Sequence, residues 1–146
     1  MSKGNTFENE LLLLIFNNDA LPLIGDASGL QPSASDGSLY VSLHTGDPGE
    51  GGNQTTSEAA YTSYARVAVA RTTGGWTVSG NAVSNAALVQ FPQCTGGSET
   101  LTHFAVGTAS SSTGKILYKG SLSSSLAVSS GIQPQFAIGD LDITED

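Results

Sequence analysis

The chain has 146 residues, 18 of them glycine, with 13 acids against five lysines and arginines and a formal charge of −8. That length suits one domain with a buried core, and charged residues at 12% stand well below the roughly 25% of ordinary globular domains. The acidic balance excludes nucleic-acid binding through a basic patch, the single cysteine, Cys94, excludes an internal disulfide, and no stretch is long and apolar enough to span a membrane.

Residues 5–17 read as a helix. Asn5 is placed to cap it, with Glu8 three residues on as the partner of a capping box, and Asn17-Asn18-Asp19 supplies the stop. Phe7, Leu11, Leu14 and Ile15 share a face, and Leu12, Leu13 and Phe16 extend it nearly all the way round. A helix apolar on most sides needs cover, either from a second chain or from the end of its own domain's core. Phe7, Leu11, Leu12, Leu14, Ile15 and Phe16 are therefore candidate interface residues. The apolar run Leu11–Phe16 is too short for a signal peptide, and Glu8 and Glu10 stand where a positive segment belongs. An irregular connector, punctuated by Pro22, Gly25, Gly29, Pro32 and Gly37, reaches Ser38. This divides the chain into residues 1–38, helix and connector, and 39–146, a β-domain.

Leu39, Val41 and Leu43 alternate with Tyr40, Ser42 and His44, the period of a half-buried strand. A long polar loop, 45–63, follows. Gly46, Gly49, Gly51 and Gly52 make its backbone easy to rearrange, so it is expected to be a mobile contact arm acting through Glu50, Gln54, Glu58 and Tyr61. Tyr64–Thr72 and Trp76–Ser79 are expected as strands joined in a hairpin by Thr73-Gly74-Gly75. Gly80-Asn81 turns into a strand over Ala82–Phe91. Further strands are expected at Leu101–Ala109, Lys115–Ser121, Leu126–Val128, Ile132–Ile138 (near an edge, because of Pro134) and Asp140–Thr144. The pattern predicts a mainly β fold, an antiparallel β-sandwich or barrel with one N-terminal helix.

Residues that could carry chemistry do not assemble into a site. His44 and His103 lack zinc-ligand spacing even with Asp47, Glu50 and Glu58 nearby. No nucleophile elbow is present, Cys94 has no catalytic surroundings in sequence, and Asp47–Gly52 lacks the lysine of a phosphate-binding loop. The expectation is a protein that is not an enzyme, with no catalytic residue, no metal and no cofactor. Trp76, Tyr61, Tyr64 and Tyr118 suit stacking on sugar rings, but aromatics at this density are more often core and interface anchors.

One set of residues carries a resemblance. Leu43-His44-Thr45, Asp47-Pro48-Gly49, Gln54-Thr55-Thr56, Glu58, Tyr61 and Tyr64–Val67, continued by Gly75-Trp76, His103–Ala109 and Gly114–Tyr118, make the chain similar to a family of small tailed-bacteriophage virion proteins. Members are tail-fibre-like, and some resemble capsid decoration (cement) proteins. The resemblance implies a virion structural protein made in the host bacterial cytoplasm. It further implies a cement protein that stabilises the major-capsid lattice as a homo-oligomer, a trimer, with the major capsid protein as partner and neither nucleic acid nor membrane involved. The alternative is a tail-fibre or tail-tip component binding host glycan through Tyr61, Tyr64 and Trp76.

Overall fold

The computed structural model describes residues 2–146. After a helix α1 (Asn5–Leu12) and a π-helical turn (Leu13–Asn17) come nine strands: β1 Ser38–His44, β2 Val67–Ala70, β3 Trp76–Ser79, β4 Ala82–Asn85, β5 Val89–Gln90, β6 Ser98–Gly107, β7 Ile116–Ser129, β8 Gln135–Phe136 and β9 Asp142–Thr144. The chain forms two compact units from interleaved stretches. One gathers the residues up to Ser38 with Val69–Leu88 and Phe136–Asp146; the other gathers Leu39–Ala68 and Val89–Gln135.

In the first unit α1 starts after Gly4, which is extended (φ −80°, ψ 140°) and gives no side-chain cap. The expected capping box is absent because Asn5 already lies inside the helix. Glu8 donates its backbone N–H to the Gly4 carbonyl at 3.0 Å and is buried. The stop falls where the sequence places it: Asn18 is left-handed (φ 59°), a conformation asparagine tolerates. Helical spacing divides the apolar residues into faces. Leu12 and Phe16, one turn apart, are fully buried; Leu11, Leu13, Leu14 and Ile15 are half-buried, and Phe7 is exposed. The helix packs on β3 and β4 of its own unit, where Phe16 meets the Trp76 ring edge-on at 4.8 Å. At its end, carbonyls without helical partners are taken by Arg71, whose Nε donates to Ile15 O at 2.6 Å and Nη2 to Leu14 O at 2.5 Å.

The sheet of this unit runs β3-β4-β9, antiparallel throughout, with the β3–β4 hairpin turning at Gly80-Asn81 as expected. The hairpin expected at Thr73–Gly75 does not form. Those residues make a tight turn, Gly75 N donating to Thr72 O at 2.9 Å, and β2 and β3 belong to different sheets. Trp76, 0% exposed, is drawn into the core beside Phe16 instead of pairing back on β2. The single strand expected over Ala82–Phe91 breaks after Asn85. The buried Asn85 amide donates to Ala87 O and Ala137 O and accepts from Leu141 N, bonds that bend the chain before β5.

The second unit holds the sheet of order β2-β1-β6-β7, in which β2 begins, with antiparallel β1–β6 and β6–β7 pairs. Val41, Leu43, Leu101, Phe104, Ala105 and Val106 form its core with Phe91 and Cys94. β7 carries two bulges: Leu101 pairs with Leu126 and His103 with Ser121, so that Leu122–Ser125 stand opposite Thr102 alone, and Val106 pairs with Tyr118 and Gly107 with Ile116, which leaves Leu117 without an opposite residue. β5 and β8 make a two-residue pair, all that remains of the strand expected over Ile132–Ile138. The fold is mainly β with antiparallel sheets and one short N-terminal helix, as expected, but among the described residues no sheet closes into a barrel. Among the described residues the larger sheet ends at β7.

Candidate functional site

The expected solvent face of β1 is the centre of the second unit. Ser42 and His44 are 0% exposed because the loop 45–63 folds back over them. It returns beside β1 with Thr45 N donating to Ser57 O and Ala59 N to Leu43 O, both at 2.8 Å. His44 Nδ1 is 2.9 Å from Thr56 O, and its Nε2 is 2.9 Å from Ser42 Oγ. A carbonyl only accepts, so Nδ1 carries the proton and the Ser42 hydroxyl donates to Nε2. Burial holds the imidazole below its ordinary pKa, against the raising effect of the Thr56 carbonyl.

The loop is fastened at three points by polar groups. Gln54, 0% exposed, inserts its amide at the end of the β1–β6 ladder. Nε2 donates to Tyr40 O at 3.2 Å, Oε1 accepts from Ala109 N at 3.0 Å, and its backbone N–H donates to Gly114 O at 3.0 Å. Two glycines make room. A Cβ on Gly107 would lie 2.2 Å from Gln54 Cδ, and one on Gly114 2.0 Å from Oε1. Glu58 and Arg66 form the second fastening, Nε–Oε1 at 2.6 Å and Nη2–Oε2 at 2.8 Å. Arg66 also donates to Ala109 O and Ser112 O, and Tyr64 OH donates to Glu58 Oε1 while accepting from Leu43 N. The Glu58 carboxylate raises the Arg66 pKa, and burial raises that of Tyr64. At the far end the Glu99 carboxylate accepts from Ala60 N and Tyr61 N. Tyr61 donates to Pro92 O at 2.9 Å, and burial pushes its pKa up to about 12.

The mobile arm expected from the glycines is therefore a fastened loop. The reason is that its anchors are polar, and apolar periodicity does not register them. Of the residues expected to reach a partner, Gln54 and Tyr61 are interior, Glu58 is committed to Arg66, and Glu50 alone is exposed. On the helix, Leu12 and Phe16 lie in their own unit's core, Leu11, Leu14 and Ile15 are half-buried, and Phe7 is open to solvent. Trp76 and Tyr61 are too deeply buried to stack on a sugar, and Tyr64 spends its hydroxyl inside the fastening. His103 faces His44 across the ladder, but both His44 nitrogens are already bonded. Among the described residues no three His, Cys, Asp or Glu side chains converge as metal ligands. Ser42 and His44 have the connectivity of a nucleophile and a base, but both are 0% exposed. Sequence reasoning missed Arg66, Glu99, Gly107 and Gly114 as site residues; two glycines in or beside strands were the available signal.

Two grooves open beside the fastened loop. One, about 430 Å³, is lined by Gly49, Glu50 and Ile116–Lys119. The other, about 250 Å³, lies over Glu58, Tyr64 and Arg66 with Ser110–Ser112. At the first, Asp47 pairs with Lys119 at 2.9 Å, its pKa lowered first by the Gly49 N–H and then by Lys119.

One consequence is a pH dependence. An imidazole whose folded pKa is depressed stabilises the fold above its unfolded pKa, about 6.5, and that contribution is lost as pH falls through the folded value. The melting temperature is expected to drop as pH goes from about 7 to 5, and His44→Gln is expected to flatten this window while lowering stability at pH 7. An equally steep loss in the variant would assign the effect to other groups.

Residues 4–144, nearly the whole chain, match the family described as Podophage GP4 fiber I protein gp80. No curated protein matches the chain.

Proposed function

The chain belongs to the podophage GP4 fiber I protein gp80 family, and from that premise we propose that it is a structural component of the tail fibre that works by protein contact, without catalysis. It is a phage virion protein related to fibres. The family match over residues 4–144 carries the reading, and the geometry supports it. The polar residues that could do chemistry are spent inside the fold, whereas apolar side chains that could meet a partner are left outside: Leu23, Ile24 and Leu30 around one turn, with Phe7 and Ile138. Burying such residues against a neighbour stabilises an assembly by mass action. With Trp76 and Tyr61 buried, glycan recognition by aromatic stacking has little support, so the proposed role is architectural.

The capsid decoration role is the competing assignment, and copy number separates the two. A cement protein accompanies the capsid subunits in comparable number, while a fibre component is present in a few copies. Quantitative mass spectrometry of purified particles, with antibody labelling by electron microscopy, is expected to find few copies, confined to the tail. Copies matching the capsid subunits and labelling over the head would overturn the fibre assignment in favour of decoration.

A further inference from the structure

Residues 21–30 form a closed loop in the first unit. Leu21 and Leu30 bridge its base, each N–H donating to the other's carbonyl at 2.9 and 2.8 Å, and Leu21 is buried. Asp26 Oδ1 braces the interior, accepting from Ser28 N at 2.7 Å and Gly29 N at 3.1 Å. Gly29 lets the two ends touch, since a Cβ there would lie 2.0 Å from Leu21 O. The loop is thus stiff, yet at its tip two features work against folding. Leu23 stands at φ 65°, a conformation that favours glycine and strains most other residues. Its side chain is 79% exposed, and that of Ile24 beside it 41%. Packing within the unit does not offset the strain of a leucine so exposed, and strain of this kind collects where a residue meets a ligand or partner.

The unit that carries this loop is the acidic one. It holds nine of the chain's 13 acids and two of its five cations, a formal −7 of the total −8, which leaves the other unit near neutral. Both of its cations are engaged, Lys3 with Glu145 at 2.9 Å and Arg71 with the Leu14 and Ile15 carbonyls. No lysine or arginine lies between Lys3 and Arg66 in the sequence, and Asp26 is exposed within the loop itself. A second copy of the chain offers this loop no cluster of free cations, because its Arg66 is paired with Glu58 and its Lys119 with Asp47. Two such loops meeting would set acid against acid. An anionic membrane or a nucleic acid is repelled for the same reason.

We infer that residues 21–30 are a docking knob, which seats Leu23 and Ile24 in an apolar pocket of a different protein of the particle, a pocket rimmed by Lys or Arg. This rests on the reading of the chain as a fibre-related virion protein and adds to it the element that attaches and the chemistry of what it attaches to. Burying the two side chains removes apolar surface from water. A loop already held in shape by its bridge and its aspartate loses little freedom on binding, so more of that gain appears as affinity. The basic rim opposite Asp26 speeds the approach and selects this partner over acidic ones.

The test uses particles assembled in cells whose only copy of the gene encodes a variant, with copies per purified particle counted by quantitative mass spectrometry. Leu23→Gly is expected to lower the count about ten-fold or more, while the purified variant melts at the wild-type temperature or above it because the strain is relieved. Leu23→Met, as apolar and as strained, is expected to keep about half the count or more. Asp26→Asn keeps the oxygen that braces the loop and removes its charge. It is expected to lower the count about three-fold and to make attachment less sensitive to added salt. An unchanged count for Leu23→Gly, melting of that variant well below wild type, or an Asp26→Asn count at or above wild type would overturn the inference. So would self-association of the wild type, read by sedimentation, that Leu23→Gly abolishes, since the occupant would then be a second copy. Wild type missing from the particles would bring down the virion reading itself, and the inference with it.

Discussion

Replacing Gln54 with Ala is expected to destabilise the protein by about 2–4 kcal/mol, unusually much for a loop glutamine. The amide bonds two groups at the end of the β1–β6 ladder, Tyr40 O and Ala109 N. Truncation removes both bonds of a side chain that is 0% exposed, and it leaves a void between Gly107 and Gly114. The same geometry makes Gly107→Ala costly for the opposite reason. Its new Cβ would have three Gln54 side-chain atoms as its nearest neighbours, at 2.2–2.6 Å, so the amide must leave its site. Both single variants therefore lose one and the same set of bonds. The double variant, Gln54→Ala with Gly107→Ala, is expected to be only slightly worse than either alone, a coupling of about 1–3 kcal/mol. Urea unfolding of the four proteins measures the cycle, and additive losses would show that Gln54 and Gly107 do not share a cost. Gly114→Ala is a useful contrast. Its Cβ also meets Ala109, at 2.7 Å from Cβ and 3.0 Å from N, so Gln54→Ala is expected to rescue it less.

Why the sequence revealed β1 but not its cover follows from these residues. Leu39, Val41 and Leu43 announce a strand because apolar side chains repeat with the pleat, and all three are buried. Trp76–Ser79, the Gly80-Asn81 turn and the left-handed Asn18 are local signals, and each falls where expected. Ser42, His44 and Gln54 look like surface residues because nothing in a period of two says that a loop will return over them. Burial of a polar side chain depends on partners supplied from far along the chain, such as Ala109 for Gln54 and Thr56 for His44. The misplaced hairpin at Thr73–Gly75 has the same root. The glycines allow the turn, but Phe16, sixty residues away in sequence, decides where Trp76 goes. Several residues that carry the family resemblance, Gln54, Glu58, Tyr61, Tyr64 and Arg66, are also those that fasten the loop. The legible motif is thus in large part a folding motif, which is why it named a family without exposing a binding surface.

The second large effect is expected at Glu58. The Arg66 side chain is 2% exposed and that of Glu58 16%, so the pair lies largely out of water and its ionic bond is little screened. Removing one member of such a pair leaves the other's charge unpaired, at a cost of about 3–5 kcal/mol. Glu58→Ala is expected to reach that range, because Arg66 then keeps only the Ala109 and Ser112 carbonyls and Tyr64 loses the acceptor for its hydroxyl. Glu58→Gln retains an acceptor oxygen but not the charge and is expected to cost about half as much. The informative variant removes both charges. Glu58→Leu with Arg66→Met fills similar volume with apolar atoms, a replacement that often proves neutral or stabilising for a buried pair. Here it forfeits the two carbonyl bonds of Arg66 as well, so it is expected to recover most, not all, of the loss seen in Glu58→Ala. Thermal unfolding at pH 7 in low and high salt reads the comparison. A wild-type melting temperature that falls steeply with salt, or a double variant as unstable as Glu58→Ala, would mean that the pair acts as an exposed surface bridge. The loop would then depend chiefly on the Gln54 amide. If the single variant falls and the double recovers, the ionic pair chiefly fixes the register of the loop over β1, and the cost of Glu58→Ala is mainly that of an arginine left charged in a dry place.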